Sequence, residues 1–186
     1  TEIARKILHV LTCIIGFLIL ILDKSIYLPL LLILTISIIC FDFSRIKFPA
    51  VQNIYKQFFS IFTRENEKEK ITGASFVFIG SFIVALLFEK EIAFQGILVF
   101  SFSDSSAALI GITFGKIKLF NKTLEGSTAF FLTTFTILFF FNFNLLEIFI
   151  ISLIATIAEL FSNYKYNDNI LIPLVTCSSI YIAKII

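Results

Sequence analysis

The apolar residues of this chain come in long uninterrupted blocks, and this pattern constrains its fold more than any other feature. Several of the blocks reach the roughly 20 residues that a helix needs to cross a ~30 Å hydrocarbon core. They cover residues 7–22, 26–43, 71–88, 92–111, 127–141, 145–161 and 170–186. Only 15% of the residues are charged, against about 25% in soluble domains. We therefore predict one all-α domain over residues 1–186, a polytopic integral membrane protein with about seven transmembrane helices.

The basic residues indicate the orientation of these spans. With seven spans and a cytoplasmic N-terminus, 12 of the 15 basic residues lie on the inner side and three, Lys24, Lys90 and Lys184, lie outside. This bias follows the positive-inside rule and predicts cytoplasmic polar loops, most naturally at a bacterial inner membrane. The net charge is only +2, and the basic residues are scattered over loops instead of forming one stripe, which argues against a nucleic-acid partner.

The longest connection, between the second and third blocks, has helical apolar spacing over residues 49–63. Val51, Ile54, Tyr55, Phe58 and Ile61 alternate with polar residues at this spacing. The pattern predicts an amphipathic helix. It either lies in the inner membrane interface or packs on the surface of the protein itself.

Asp104 is the clearest candidate for a functional residue, because a charge within a span is costly and marks function by default. It shares one helix face with Ser101, Ala108 and Gly111, so small side chains surround the carboxylate. A carboxylate in this position can hold Mg²⁺, take a proton, or pair with a basic residue.

Two short polar stretches follow Asp104 and suggest a phosphate-binding site. Glycine lets a backbone approach an anion and lysine supplies charge, while free N–H groups at a helix start also bind phosphate. The stretch from Gly111 to Lys116 is one residue too short for a P-loop and lacks its Ser or Thr. The candidate phosphate-binding residues are Gly111, Gly115, Lys116, Lys122, Glu125 and Gly126.

The ends of the chain add further polar candidates. Arg5 and Lys6 precede His9, the one histidine, which is either a packed or capping residue or forms an anion site with them. Glu2 can pair with Lys6 at i, i+4. Near the C-terminus, Glu159 lies in a polar stripe of the sixth block, and Asp168 and Asn169 open the last block. Asp168 either caps that helix or completes a metal site with Asp104.

Taken in order, these motifs resemble the polyprenol kinase family, which includes dolichol kinase, phytol kinase and CTP-dependent diacylglycerol kinase. The resemblance rests on Arg-Lys-x-x-His at 5–9, Asp-Ser-Ser-Ala-Ala-Leu-Ile-Gly at 104–111, Phe-Gly-Lys at 114–116, Lys-Thr-Leu-Glu-Gly at 122–126 and Asp-Asn-Ile-Leu-Ile-Pro at 168–173. One departure is Ser103, where the family commonly has glycine before the aspartate.

The resemblance implies transfer of the γ-phosphoryl group of CTP to a membrane lipid alcohol, with Mg²⁺ or another divalent cation, at the cytoplasmic face. It places catalytic roles on Arg5, Lys6 and Asp104 and nucleotide binding on Lys122, Glu125 and Gly126. Either Asp104 or Glu125 would serve as the base, and an oligomer is compatible with the sequence.

Three alternatives stay open at this point. A CDP-diacylglycerol synthase-like cytidylyltransferase shares the Asp…Gly…Phe-Gly-Lys…Lys-Thr-x-Glu-Gly core. A small ion-coupled transporter would use Asp104 and Glu159 as intramembrane acids. A non-catalytic scaffold has neither activity, but the density of Gly, Lys and Asp around one locus argues against it.

Overall fold

A computed structural model describes residues 2–63, 67, 69–162 and 167–185. Within this part the chain is helical apart from one small hairpin. The helices are α1 (Glu2–Val10), α2 (Cys13–Ile21), α3 (Lys24–Lys47), α4 (Pro49–Phe59), α5 (Gly73–Leu87), α6 (Lys90–Phe114), α7 (Leu124–Phe139), α8 (Leu145–Phe161) and α9 (Asp168–Ile185). The strands β1 (Lys118–Leu119) and β2 (Lys122–Thr123) form the hairpin, which the all-α prediction did not include.

Each of the seven apolar blocks contains a helix, which confirms the prediction of an α-helical membrane protein. Four stretches are long and apolar enough to span a bilayer by length and composition, namely Glu2–Ile21, α3, α6 and α9. The helices α5 and α7 are apolar but have only 15 and 16 residues, and α8 has 17. Seven spans therefore remain a prediction. Of the basic residues used to predict orientation, Arg64, Lys68 and Lys165 lie outside the described part.

The first apolar block is not one continuous helix. It divides at residues 11–12 into α1 and α2, and the Thr12 hydroxyl there donates to the His9 carbonyl at 2.6 Å. The same hydroxyl is 2.5 Å from the hydroxyl of Ser101 on α6. The polar break is thus satisfied by a neighbouring helix, as backbone and hydroxyl groups in lipid require.

Helix α6 is the centre of the bundle and packs against α1, α2, α5, α7 and α9. Its residues Ala93, Ile97, Val99 and Phe100 are at most 1% exposed. Gly96 allows a close approach of α9, because a Cβ there would overlap the Cys177 sulfur of that helix. Since α6 is surrounded on most sides, its polar residues between Gln95 and Ser105 face protein instead of lipid.

The amphipathic segment is a helix, as predicted, although it ends at Phe59 and continues as a 3-10 turn over Ser60–Phe62. None of the residues in α4 is buried, and Ile54, Phe58 and Ile61 are all more than half exposed. An apolar face left open in this way suits the membrane interface. The interfacial location itself stays a prediction.

Sequence reasoning missed a buried ion pair at the end of α3. Arg45 and Asp42 are 1% and 2% exposed, and the Arg45 Nε donates to the Asp42 carboxylate at 2.7 Å. The carboxylate also accepts from the N–H and hydroxyl of Thr72, both at 2.8 Å, and from the Ser75 hydroxyl at 2.6 Å. Arg45 reaches the carbonyls of residues 67 and 70 and lies 4.6 Å from the Tyr55 ring centre. The pair ties α3, α4 and the start of α5 together, and the Asp-x-x-Arg spacing was its only sequence signal.

Candidate functional site

A cavity of about 320 Å³ lies where the C-terminal half of α6 meets α1, α8, α9 and the hairpin. Its lining brings together residues far apart in the chain. They are Glu2, Lys6, Asp104, Ala107, Ala108, Gly111, Ile112, Asn121, Lys122, Thr123, Gly126, Glu159 and Asp168. A second cavity of about 360 Å³, near Lys24 and Glu89 at the other end of α6, contains none of the predicted site residues.

Asp104 is one of two deeply buried acids of the cavity, at 2% exposed, and it forms an ion pair with Lys6. Helix α1 supplies that partner, because Lys6 is on the α1 face that packs against α6 and is only 7% exposed. His9, one turn further on, places its Nε2 atom 3.3 Å from an Asp104 carboxylate oxygen. Its ring packs edge-on against Phe100 with 4.3 Å between ring centres. Asp104 therefore faces the cavity with two basic residues, Lys6 and His9, beside its carboxylate.

His9 itself does not line the cavity. Its Nε2 atom is buried and forms no hydrogen bond within the described residues. The predicted phosphate contact therefore has no support from its location. The structure gives the histidine a place beside Asp104 instead.

A second ion pair stands across the cavity. The Lys122 ammonium is 3.0 Å from one carboxylate oxygen of Glu159, and the hydroxyl of Ser127 donates to the other oxygen at 2.9 Å. Glu159 is 2% exposed, whereas the Lys122 side chain is 25% exposed. Burial alone would lower the pKa of Lys122, but the nearby carboxylates of Glu159 and Asp104 raise it above its usual value. Lys122 is therefore a charged ammonium that still opens to the cavity.

The hairpin carries Lys122 to this position. Leu119 pairs with Lys122 and Lys118 with Thr123, so the loop between the strands has two residues. Thr123 then caps α7 by accepting a hydrogen bond from the Gly126 N–H at 3.1 Å. Our expectation of free N–H groups at this helix start is thus wrong for Gly126, whose donor is already used.

The glycines near the cavity are explained first by close packing. A Cβ on Gly126 would lie 2.8 Å from the Ala107 carbonyl oxygen, and one on Gly111 would lie 2.9 Å from the Thr123 hydroxyl. A Cβ on Gly115, just after α6, would overlap the Gly111 carbonyl. These glycines let α6, α7 and the hairpin approach closely enough to close one wall of the cavity. Gly115 itself does not line it.

Four other predicted residues also lie outside the cavity lining. The Arg5 guanidinium pairs with Glu2 at 2.6 Å, which corrects the predicted Glu2–Lys6 pair, because Lys6 is committed to Asp104. Lys116 is exposed on the loop after α6.

Glu125 holds that loop, since both of its carboxylate oxygens lie 3.3 Å from the Ile117 N–H. Of the two candidate bases, only Asp104 therefore faces the cavity. The Asn169 amide donates to the Gly73 carbonyl at 3.1 Å and so joins α9 to α5.

Asp168 does reach the cavity, at the first residue of α9 as predicted. One of its carboxylate oxygens accepts the Asn169 N–H at 3.0 Å. Counted over the lining, four carboxylates stand against two ammonium groups. The described residues contain no cluster of three or more His, Cys, Asp and Glu side chains arranged around a metal-sized point.

Three polar lining residues were not among the predicted site residues. Glu2 was considered only as a partner for Lys6, and Asn121 and Thr123 only as neighbours of Lys122. Their signal was weak, because a polar residue in a loop or at a helix start is normally solvated. Only the tertiary fold brings them to the same cavity as Asp104.

The fold and this cavity define an α-helical membrane protein with a buried, ion-paired polar site at one end of its bundle. The chain belongs to one family with two uncharacterised proteins that it matches over nearly their whole length. It is 32% identical to protein RP860 of Rickettsia prowazekii over 96% of this chain and 92% of the relative. It is 34% identical to protein MJ1137 of Methanocaldococcus jannaschii over 94% of this chain and 90% of the relative.

A third relative carries a functional name. The chain is 34% identical over 134 residues to CTP-dependent diacylglycerol kinase 1 of Schizosaccharomyces pombe, covering 68% of this chain and 60% of the relative. This partial match supports the predicted relationship to lipid kinases. No protein-family model and no solved structure matches the chain.

Proposed function

We propose that this protein is a CTP-dependent kinase that transfers the γ-phosphoryl group to the hydroxyl of a membrane lipid alcohol at the cytoplasmic face. Diacylglycerol, a polyprenol and phytol are the candidate acceptors. The observation that carries the proposal is the cavity, where Lys6, Asp104, Lys122 and Asp168 meet from four separate elements. The named relative supports the choice of donor and of a lipid acceptor.

The reaction is a single displacement. The lipid hydroxyl oxygen forms a bond to the γ-phosphorus, the bond from that phosphorus to the bridging oxygen breaks, and CDP leaves. The hydroxyl proton passes to a base or to water. Such transfers depend mainly on positioning and on neutralising the phosphate oxygens. The protein therefore needs cations for the phosphates and a defined place for the lipid hydroxyl.

Lys122 is the side chain best placed to meet the phosphates. Its ammonium has three N–H donors and donates one to Glu159, so two donors remain for an anion in the cavity. Lys6 supplies a second charge, but its ion pair with Asp104 holds it deeper in the protein. We assign Lys122 to the nucleotide and Lys6 to the placement of Asp104.

The charge of the cavity fits a divalent cation. Carboxylates outnumber ammonium groups by two in the lining, so a bare triphosphate would be repelled. Carboxylate oxygens are ligands that Mg²⁺ accepts, and it usually binds through one or two of them plus phosphates. Asp104 and Asp168 would hold it. When bound, it would neutralise charge on the phosphate oxygens.

The lipid would reach the cavity from the side of α6. Ile112 lines the cavity and is 60% exposed, so the polar site borders an apolar surface. This arrangement allows a lipid chain to stay in the bilayer while its hydroxyl enters the cavity. Asp104, one of the carboxylates that line the cavity, is our candidate for orienting the hydroxyl.

Purified protein incubated with γ-labelled CTP, Mg²⁺ and a panel of lipid alcohols tests the proposal. Label in the lipid with release of CDP supports a kinase. Label in pyrophosphate, with a phosphatidic acid substrate converted to CDP-lipid, identifies a cytidylyltransferase instead. Absence of both products with a well-folded sample would contradict the proposal and favour transport.

The Lys122→Ala variant tests the assignment of the nucleotide. Losing one charged contact costs about 1.5–3 kcal/mol, so we expect the KM for CTP to rise roughly ten- to a hundredfold. The KM for the lipid should change little. Lys118→Ala is the matched control, because Lys118 is exposed on the neighbouring strand and lies outside the cavity. An unchanged KM for CTP in folded Lys122→Ala protein would overturn the assignment.

A further inference from the structure

We propose that Glu159 is a positioning residue that holds the Lys122 ammonium in the cavity ready for the triphosphate of the nucleotide. The inference rests on the proposed function. The inference extends the proposed function to a residue on α8, a helix to which no step of the reaction has so far been assigned. The observation behind it is that Lys122 and Glu159 form an ion pair with very different exposure at its two ends.

The Lys122 side chain needs a partner outside the hairpin to fix its position, because the hairpin that carries it is very short. It belongs to a hairpin of two-residue strands, and Phe120 at its tip has a φ of 53°, in the left-handed region that favours glycine. A lysine side chain also has a long, freely rotating stem. Without a partner, the ammonium would sample many positions over the opening of the cavity.

Glu159 has the properties of such a partner. It lies near the end of a regular helix, is 2% exposed, and has both carboxylate oxygens engaged. One oxygen contacts Lys122 at 3.0 Å, and the other accepts from Ser127 at 2.9 Å. Because Ser127 belongs to α7, the carboxylate is fixed between two helices before it meets the lysine.

The same contacts argue against other roles for Glu159. A role confined to joining two elements leaves unexplained why the Lys122 side chain is 25% exposed and lines the cavity. A metal ligand needs a free oxygen facing the cation, whereas both oxygens of Glu159 already accept from protein groups. The geometry thus favours an anchor for a cation that binds something else.

Glu159→Gln removes the charge while keeping an oxygen that can accept from Ser127. We expect the KM for CTP to rise about tenfold, because the lost charge-assisted contact is the one that positions the Lys122 ammonium. The kcat should change by less than about threefold, because Glu159 itself does not contact the reacting atoms. Glu159→Asp, which keeps the charge, should recover part of the affinity. In a Lys122→Ala background, Glu159→Gln should have little further effect, since both substitutions act through the same ammonium.

Glu91→Gln is the matched control. Glu91 is an exposed glutamate near the start of α6, far along that helix from the cavity, and the change removes the same charge. Its KM for CTP should equal that of the wild type. Thermal melting of every variant in the same detergent separates a change in affinity from a loss of folding.

Three results would overturn the inference. One is an unchanged KM for CTP in folded Glu159→Gln protein, and another is an effect of full size in the Lys122→Ala background. The third is a change confined to the Mg²⁺ concentration needed for activity, which would make Glu159 a metal ligand. Failure of the proposed function looks different, because wild-type protein would then transfer no label to lipid.

Discussion

Replacing Asp104 with asparagine removes one half of a buried ion pair and keeps the size and shape of the side chain. In the folded protein the side chains of Asp104 and Lys6 are 3% and 8% exposed. The substitution therefore leaves an ammonium group at a site that water hardly reaches. Two consequences follow, one for stability and one for turnover, and they can be measured on the same sample.

The loss of stability should be large. Breaking a buried pair by removing one partner costs about 3–5 kcal/mol, because the remaining charge is uncompensated. The double variant Lys6→Gln with Asp104→Asn removes both charges and should recover most of that loss, since two neutral amides can bond to each other. Turnover should behave differently. It should fall roughly a hundredfold or more in both variants, the usual cost of removing one group that stabilises the reacting charges.

The assay combines thermal unfolding in detergent with transfer of label from γ-labelled CTP to lipid. We expect Asp104→Asn to melt lower than wild type, the double variant to melt near wild type, and neither to transfer label efficiently. A stable and inactive double variant separates the chemical role of the Lys6–Asp104 pair from its structural one. An active double variant would show that Asp104 only balances Lys6 and would refute the site. A single variant as stable as wild type would refute the buried ion pair.

Three further predictions follow from the fold. In a background without the native cysteines, a cysteine at position 118 should react with a membrane-impermeant reagent only from the cytoplasmic side, and a cysteine at position 24 only from outside. The reverse pattern would contradict the predicted topology. Asp42→Asn should destabilise the protein by about 3–5 kcal/mol, because Arg45 stays buried without its counterion; an unchanged unfolding midpoint would contradict this. Gly126→Ala should cost about 1–3 kcal/mol, since the added Cβ would lie 2.8 Å from a backbone carbonyl of α6. The control Gly73→Ala, where the nearest atom is 3.4 Å away, should be much milder.

The site was partly predictable because its residues break the apolar pattern. Asp104 is conspicuous as an acid inside a span, and Lys122 and Asp168 stand in short polar stretches next to spans. Burial of charge is so costly in a membrane that each such residue needs a reason. The positions at which polar residues interrupt the apolar blocks thus predicted most of the charged residues that line the cavity.

The partners of these residues could not be predicted from the sequence. Lys6 and Asp104 are separated by 98 positions, and Lys122 and Glu159 by 37, so no local spacing relates them. The sequence suggested Glu2 for Lys6 because the i, i+4 distance is short on one helix. The packing of α1 against α6 offered a buried carboxylate instead, and pairing there avoids an uncompensated charge.

The sequence by itself determined the class of the protein, since blocks this long and this apolar can be covered only by lipid or by one another as helices. It also determined which few residues carry charge into those blocks. Only the tertiary structure decided which charges neutralise each other and which face a cavity. The hairpin shows this most clearly, because the close approach of Gly111 and Gly126 to Thr123 closes the wall beside Lys122. Hydrophobic periodicity describes one helix at a time, whereas ion pairing depends on which helices pack against each other.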